Sequence, residues 1–303
     1  MNDNVIAPSA AREIALRVSE LVSDGYVFAD TASQIAAAIE AAVGAGQYDS
    51  CRDAETLAMK LTTDLQSVNG DRHLRVLYSS EPLVDLSDPA EEVEAWNAAA
   101  DGAAGGMAKV EILAGNVGVV EVRPMLYPAT LAGDRIAAAM TLVASCEALV
   151  IDLRGCLGGS PDSVALMCSY LFEDEPVHLN SMRFRDETQV EQSWTHSWVP
   201  GRRFGGSKPV IVLTSAATFS GGEELAYVLQ QRGRASIVGE QTGGGANPRV
   251  GHRVHQHLEA TIPVAYPENP VSGTNWELVG VTPDIAVPSD RALDVALHEL
   301  ARK

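Results

Sequence analysis

One serine in the chain has surroundings that would suit a nucleophile. Ser220 lies in TFSGGEELAY, between an apolar run typical of a buried strand and the start of a helical pattern. A helix N-terminus presents free N–H groups and a positive dipole end, so a developing oxyanion would be stabilised there, with the N–H of Gly221 as one donor. Gly221 and Gly222 each cost about 1 kcal/mol of helix stability but let a substrate approach the backbone. Taken alone, the stretch favours a serine that only caps its helix.

A second glycine-rich loop could contribute to the same oxyanion hole. In DLRGCLGGSP, Gly158 and Gly159 also follow a buried apolar run and precede a helical pattern, so either could present another N–H group. An ordinary strand-to-helix turn and a phosphate-binding loop are the alternatives. The loop lacks both the G-x-G-x-x-G pattern and a P-loop lysine, which disfavours nucleotide binding.

A serine nucleophile needs a base, and histidine is the better candidate in this chain. The chain has only four lysines, and none lies in the glycine-rich stretch after Ser220. His73, in NGDRHLRV, follows a helical segment in a loop position. His252, His255 and His257 form HRVHQH on a predicted strand, with His255 and His257 on one face. A zinc site is conceivable there, but the pattern favours an exposed strand face.

Composition limits the classes of partner. The chain has 303 residues, of which 46% are hydrophobic, enough for one large domain or two smaller ones. The net charge of -18 argues against binding to nucleic acid or to an anionic membrane, since both need a basic footprint. No apolar run reaches about 18 residues, and no secretory signal is visible, so a cytoplasmic protein is expected. The four cysteines lack CxxC spacing and are expected to be free thiols.

Two kinds of pattern divide the chain. Residues 1–80 contain three amphipathic segments and predict an N-terminal helical bundle. Residues 81–107 are polar and alanine-rich, which predicts a linker or a lid. In residues 108–303, buried apolar runs alternate with helical patterns, which predicts an α/β core. The segment from His178 to Gly206 is expected to be an insertion of hairpin type.

Four motifs together resemble the C-terminal processing (tail-specific) serine peptidase family, in the branch with the tricorn protease core and the interphotoreceptor retinoid-binding protein modules. They occur in the family order and read LTTDLQSVNGDRHLRVLYS, LVIDLRGCLGGSP, TSAATFSGGEELAYVLQQRGRASIVGEQTGGGANP and TNWELVGVTPDI. The resemblance implies a crotonase/ClpP-like core of strand-strand-helix units after the helical bundle. It implies neither a metal nor an organic cofactor.

The resemblance also implies roles for individual residues. Ser220 falls at the nucleophile, His73 at the general base and Glu277 at the acid that orients the base. A carboxylate on imidazole fixes its tautomer and stabilises the imidazolium ion. Glu223 falls at the family's Ser-x-x-Glu position, where it either supports the site or acts as a first-turn partner of the helix dipole. The N–H groups of Gly221 and of one glycine in the Gly158–Gly159 pair would form the oxyanion hole.

The sequence departs from other branches of this family in two ways. In the Ser/Lys branch a lysine lies in the turn occupied here by Gly243, Gly244 and Gly245, so its absence favours a Ser/His/Glu triad. Many members also carry a PDZ domain that selects substrate C-termini. The interval between His73 and Lys109 is too short for one, so no PDZ domain is expected.

Three functions remain open at this point. The first is a serine hydrolase of the peptidase type that acts on a peptide or a small acyl substrate. The second is a retinoid-binding-protein-like module for an apolar small ligand, and the third is a repurposed biosynthetic enzyme on the same scaffold. The presence of Ser220, His73 and Glu277 together favours hydrolysis. The sequence fixes neither the substrate nor the oligomeric state.

Overall fold

The computed structural model describes residues 5–83, 89–186 and 188–302, which contain both helices and strands. The α-helices in these ranges are α1 (Pro8–Gly25), α2 (Ala29–Gly44), α3 (Ala54–Gln66), α4 (Pro89–Gly102), α5 (Ala129–Val143), α6 (Pro161–Ser169), α7 (Gly221–Gln231) and α8 (Ala292–Ala301). The strands are β1 (Arg75–Tyr78), β2 (Met107–Leu113), β3 (Val117–Val122), β4 (Ala148–Asp152), β5 (His178–Phe184), β6 (Val190–Trp194), β7 (Val210–Thr214), β8 (Ser236–Gly239), β9 (Arg249–His255), β10 (Leu258–Pro263), β11 (Ala265–Glu268) and β12 (Ile285–Ala286). None of the helices in the described part of the chain is long and apolar enough to cross a bilayer.

The chain divides into two compact units. The first unit comprises Met1–Ser87, Arg183–Val190 and Asn247–Tyr266, and the second comprises Asp88–Met182, Glu191–Ala246 and Pro267–Lys303.

The first unit combines the predicted helices with a small sheet. Helix α1 begins with a proline in its first turn and buries residues at helical spacing, and α2 and α3 have the same kind of apolar stripe. These stripes share one core with residues of β1 and β10, such as Val76, Ala260 and Ile262. The sheet is antiparallel with the order β1–β10–β9. The unit is therefore not made of helices alone, because two strands arrive from a distant part of the sequence.

The second unit contains the predicted α/β core, which the structure confirms. Its sheet has the order β12–β8–β7–β4–β3–β2, with only β2 antiparallel to its neighbour. Strands β4 and β7 are buried along their whole length, as expected for parallel strands covered on both faces. One face packs against α5, α6 and α7 and the other against α8.

The parallel strands bring three loops to one edge of this sheet. Strands β4, β7 and β8 are neighbours and run in the same direction, so the loops that follow them leave from the same edge. These loops carry Gly158 and Gly159 after β4, Ser220 after β7, and the glycine-rich turn 242–245 after β8. This edge of the sheet is therefore where the chemistry predicted for the second unit is concentrated.

Two predictions about local structure have different outcomes. The insertion of hairpin type is confirmed, since β5 and β6 are neighbours in a sheet of order β11–β5–β6. The prediction that His252, His255 and His257 share one strand is wrong. Strand β9 ends at His255, and a turn at Gln256 and His257 leads into β10. The turn contains no glycine, proline or asparagine, so the sequence carries none of the usual signals for it.

The predicted linker or lid at residues 81–107 is only partly visible. Residues 84–88 lie outside the described residues. The remainder of the stretch includes α4 and a short 3-10 helix, Ala104–Gly106. From Val93 to Ala99, every residue of α4 is exposed. The choice between a linker and a lid therefore stays a prediction.

Candidate active site

Ser220 has a strained backbone at the start of α7. Its φ is 49° and its ψ is -120°, a combination that L-residues rarely adopt and that costs about 1–3 kcal/mol. Residues that only cap a helix normally have an extended backbone, so capping alone does not account for this conformation. Such strain persists where the surrounding structure enforces it, and it is concentrated at functional sites. The side chain is partly exposed, so a substrate can reach it.

A buried carboxylate holds the backbone of Ser220 in place. The Ser220 N–H donates to Glu223 Oε2 at 2.9 Å. The same carboxylate accepts hydrogen bonds from Thr242 Oγ1 at 2.5 Å, from the Gly244 N–H at 2.6 Å and from the Gly245 N–H at 2.9 Å. Burial raises the pKa of Glu223, and these four donors oppose the shift by stabilising the charged form. Glu223 therefore ties the nucleophile segment to the glycine-rich turn that follows β8.

The loop after β4 lies directly against Ser220. A Cβ atom added at Gly158, whose φ is 137°, would be 3.0 Å from Ser220 Cβ and 3.5 Å from Ser220 Oγ. At Gly221, an added Cβ would be 2.6 Å from the carbonyl oxygen of Gly159. The backbones can approach this closely only because these positions lack side chains. The structure thus brings the two glycine-rich loops together at Ser220.

Backbone hydrogen bonds fix this loop from two sides. The Leu126 N–H donates to the Gly158 carbonyl at 2.9 Å, and the Ser160 N–H donates to the Leu126 carbonyl at 2.8 Å. On the other side, the Phe219 N–H donates to the Cys156 carbonyl at 3.0 Å. No sequence pattern points to Leu126, because it acts here through backbone groups that every residue carries. The loop is therefore held in register with both the chain after β3 and the nucleophile segment.

Glu277 belongs to the same hydrogen-bonded region of the second unit. Its Oε2 accepts the Ala246 N–H at 2.5 Å, and the neighbouring Trp276 Nε1 donates to the Gly245 carbonyl at 2.9 Å. Leu278, which follows, has a φ of 63° and is also held to this turn by its N–H. The segment that carries Glu277 is therefore fixed on the turn that also contacts Glu223.

His73 lies in the first unit, in the loop between α3 and β1. Its side chain is almost fully buried, with 4% exposure. The backbone is held at both ends, since the His73 N–H donates to Asp71 Oδ1 at 2.9 Å and Thr261 Oγ1 donates to the His73 carbonyl at 2.5 Å. Burial, followed by the positive charges of Arg249 and Arg75, lowers the pKa of His73 to about 3. The imidazole is therefore neutral near pH 7, the form that can accept a proton.

Asp71 supports the histidine loop. It is 1% exposed and accepts hydrogen bonds from the Tyr26 hydroxyl and from Asn247 Nδ2, both at 2.9 Å. Asp71 stands two residues before His73, within the motif LTTDLQSVNGDRHLRVLYS that resembles the peptidase family. No such spacing points to Tyr26 or Asn247, because they come from α1's C-terminal end and from the chain before β9. Only the folded first unit brings them to Asp71.

Comparison with protein families gives two matches that together cover most of the chain. Residues 116–287 match the profile of peptidase family S41. Residues 6–104 match the N-terminal domain of peptidase S41 in eukaryotic IRBP. The first match contains Ser220, Glu223 and Glu277, and the second contains His73.

Individual proteins and structures agree with these matches. The carboxyl-terminal-processing peptidase 2, chloroplastic, of Arabidopsis thaliana is 30% identical over 144 residues, which are 47% of this chain and 26% of the plant protein. A solved structure from Parabacteroides merdae has a TM-score of 0.65 at 17% identity and covers 97% of both chains. The photosystem II D1 C-terminal processing protease has a TM-score of 0.55 at 16% identity, with 96% of both chains covered. The tricorn protease has a TM-score of 0.57 at 13% identity, with 96% of this chain and 37% of that chain covered. At these identities the structural matches concern the fold.

Proposed function

The chain belongs to peptidase family S41, and on this premise we propose that it is a serine peptidase that cleaves peptide or other acyl bonds. The single observation that carries the proposal is the strained, partly exposed Ser220 with glycine backbone packed against its hydroxyl. A serine that merely caps a helix needs neither the strain nor the second glycine loop. The crotonase/ClpP-like description of the core belongs to the same proposal.

The proposed chemistry is acyl transfer through a Ser/His/Glu triad. Ser220 attacks the substrate carbonyl while His73 takes the hydroxyl proton and then passes it to the leaving group. Glu277 orients the imidazole and stabilises the imidazolium ion that forms. Water then releases the acyl group from Ser220 by the reverse sequence of proton transfers. No metal ion or organic cofactor has a role in these steps.

The oxyanion would be held by backbone N–H groups. Gly221 supplies one donor at the start of α7, and Gly158 or Gly159 supplies the other. The close packing of these loops around Ser220 supports this assignment. Donors fixed before the reaction stabilise the developing charge without reorganisation, which is commonly the largest single contribution to catalysis.

The low pKa of His73 explains why the proposed mechanism needs the carboxylate of Glu277. An imidazole whose pKa is lowered to about 3 is available as an acceptor but holds the proton weakly. A carboxylate that stabilises the imidazolium would offset this weakness during the reaction. The proposal therefore needs Glu277 as much as it needs His73.

A ligand-binding module is the second candidate function. The match of residues 6–104 to the N-terminal domain of peptidase S41 in eukaryotic IRBP favours it. A binding module for an apolar small ligand would not need a reactive Ser220. Reactivity at this residue therefore separates the two candidates.

Labelling with a fluorophosphonate probe tests the peptidase proposal without knowledge of the substrate. We expect the wild-type chain to be labelled and the Ser220→Ala variant to remain unlabelled. Ser207→Ala, an exposed serine in the same unit, is the matched control and is expected to be labelled like the wild type. Folded wild-type protein that resists the probe, or labelling that persists in Ser220→Ala, would overturn the proposal.

A further inference from the structure

One face of the β1–β10–β9 sheet in the first unit is basic. Arg75 pairs with Thr261 on the central strand, and Arg249 and Arg253 pair with Pro263 and Glu259 on the same strand. Directly paired residues share a face, and so do residues two apart along a strand. The face therefore carries three arginines and a single glutamate, whereas the opposite face packs against the helices.

This face contrasts with the charge of the whole chain. The net charge of the protein is -18, so an acidic ligand is repelled by most of the surface. At physiological salt the Debye length is about 8 Å, so charges farther away than this are largely screened. A ligand in contact with the sheet is therefore affected mainly by the nearby arginines. The arginine cluster can therefore attract an anion that most of the protein surface repels.

The one glutamate occupies only part of the cluster. A Cβ atom added at Gly251 would lie 2.0 Å from Glu259 Oε1, so this carboxylate extends across Gly251. There it accepts a hydrogen bond from Arg249 Nη1 at 3.1 Å. The Arg249 side chain stays about a third exposed. Its guanidinium group therefore keeps donors that face solvent.

Arg75 provides an independent indication that an acceptor is missing. Its Nε atom is buried and has no hydrogen-bond partner among the described residues. Buried donors are nearly always paired in native proteins, so such an atom calls for an explanation. Burial, followed by the positive charge of Arg249, lowers the pKa of Arg75, so its charged form lacks full compensation. A bound anion would relieve both conditions.

We propose that this face binds a carboxylate of the peptide substrate through the guanidinium groups of Arg75 and Arg249. The inference rests on the proposed peptidase function. Guanidinium groups match carboxylates in geometry and form charge-assisted hydrogen bonds with them. Thr261 Oγ1 contacts the carbonyl oxygens of both His73 and Arg75, at 2.5 and 3.2 Å, so the site adjoins the histidine loop. The carboxylate belongs either to an acidic side chain or to the C-terminus of the substrate.

Peptide binding to the full-length Ser220→Ala chain tests the inference without turnover. Three short peptides carry an uncharged coumarin label, and their binding is followed by fluorescence anisotropy. The first has glutamate side chains and an amidated C-terminus, the second has glutamine side chains and a free C-terminal carboxylate, and the third has glutamine side chains and an amidated C-terminus. We expect at least one carboxylate-bearing peptide to bind on the order of tenfold more tightly than the neutral one. Which of them does so identifies the source of the carboxylate.

Substitutions then locate the preference on the sheet face. Arg75→Gln or Arg249→Gln is expected to reduce it on the order of tenfold, and added salt is expected to weaken it. Arg249→Gln alters an exposed side chain and should fold even if Arg75→Gln does not. Arg17→Gln, on the exposed surface of α1 beside Glu20, is the matched control and is expected to keep the preference. Equal binding of all three peptides, or a preference that survives in folded Arg249→Gln, would overturn the inference.

The two proposals fail in distinguishable ways. A chain that reacts with fluorophosphonate at Ser220 but shows no carboxylate preference contradicts the binding site alone. A chain that shows the preference but never reacts at Ser220 keeps the binding site and contradicts the peptidase function.

Discussion

The serine loop of the second unit and the histidine loop of the first are held in different ways. Ser220 is fixed mainly by backbone N–H groups and by one buried carboxylate, and its own backbone is strained. His73 is fixed by the side chains of the neighbouring Asp71 and of Thr261, which is distant in sequence, and it is buried near positive charges. The first arrangement controls geometry, whereas the second controls the charge of a titratable group. Substitutions in the two regions should therefore have different signatures.

Among substitutions outside the proposed triad, the largest effect is expected at the glycine that packs against the nucleophile. Gly158→Ala would place a methyl group 3.0 Å from Ser220 Cβ at a φ of 137°, so the oxyanion loop must shift. We expect the rate of fluorophosphonate labelling to fall by about 10²- to 10³-fold, the usual effect of losing one oxyanion donor. Gly102→Ala is the control, because an added Cβ there meets no described atom within 4 Å. An unchanged labelling rate in Gly158→Ala would show that this loop does not shape the site.

The two adjacent buried glutamates of α7 should respond differently to the same substitution. Glu223→Gln removes an acceptor from the four-donor network around Ser220, and we expect the free energy of unfolding to fall by about 3 kcal/mol near pH 6. The Glu224 carboxylate accepts a hydrogen bond from Asn180 Nδ2 at 2.9 Å, and burial raises the pKa of Glu224 to about 7. Glu224→Gln therefore mimics the form already present near pH 6 and should change stability little.

Urea unfolding of the two variants, together with fluorophosphonate labelling rates, checks this contrast. Glu223→Gln should lose reactivity as well as stability, and Glu224→Gln should retain both. Equal losses in the two variants would mean that Glu223 acts only as one more buried carboxylate.

The burial of His73 should be detectable in the pH dependence of the free energy of unfolding. Because the pKa of His73 is lowered from 6.5 to about 3, the unfolded chain binds more protons than the folded chain between these values. Stability from this group is therefore present above the unfolded pKa and is lost as the pH falls below about 6.5. We expect His73 to cost the wild type about 2 kcal/mol between pH 7 and pH 5. His73→Asn should lack this part of the acid sensitivity, as measured by urea unfolding at both pH values. Identical pH dependence in the two proteins would contradict the buried, neutral histidine.

The comparison also explains what the sequence could reveal. Ser220, Gly158 and Gly159 stand in local motifs at the ends of buried apolar runs, so strand and helix patterns alone predicted two strand-to-helix loops that could contribute to one oxyanion hole. The residue roles came from the resemblance to the peptidase family, because no local pattern selects His73 or Glu277. The α/β core was predictable for the same reason as the motifs, since its central strands β4 and β7 are buried, mainly apolar runs.

The histidine loop shows where sequence reasoning stopped. Asn247 reaches Asp71 across 176 positions of sequence, and β10 joins the N-terminal helices from a similar distance. Local periodicity contains no information about such pairings. The positive φ of Ser220 was also invisible, because serine at a helix start normally signals a cap. The turn at Gln256 and His257 was missed because it lacks the residues that usually mark turns.

The central proposal is that His73 acts as the general base for Ser220. The rate of fluorophosphonate labelling in His73→Ala tests this claim most directly, with His252→Ala from the same unit as the matched control. We predict a fall of about 10²- to 10⁴-fold in His73→Ala, partial recovery when imidazole is added, and a wild-type rate in His252→Ala. Labelling of folded His73→Ala at the wild-type rate would contradict the account.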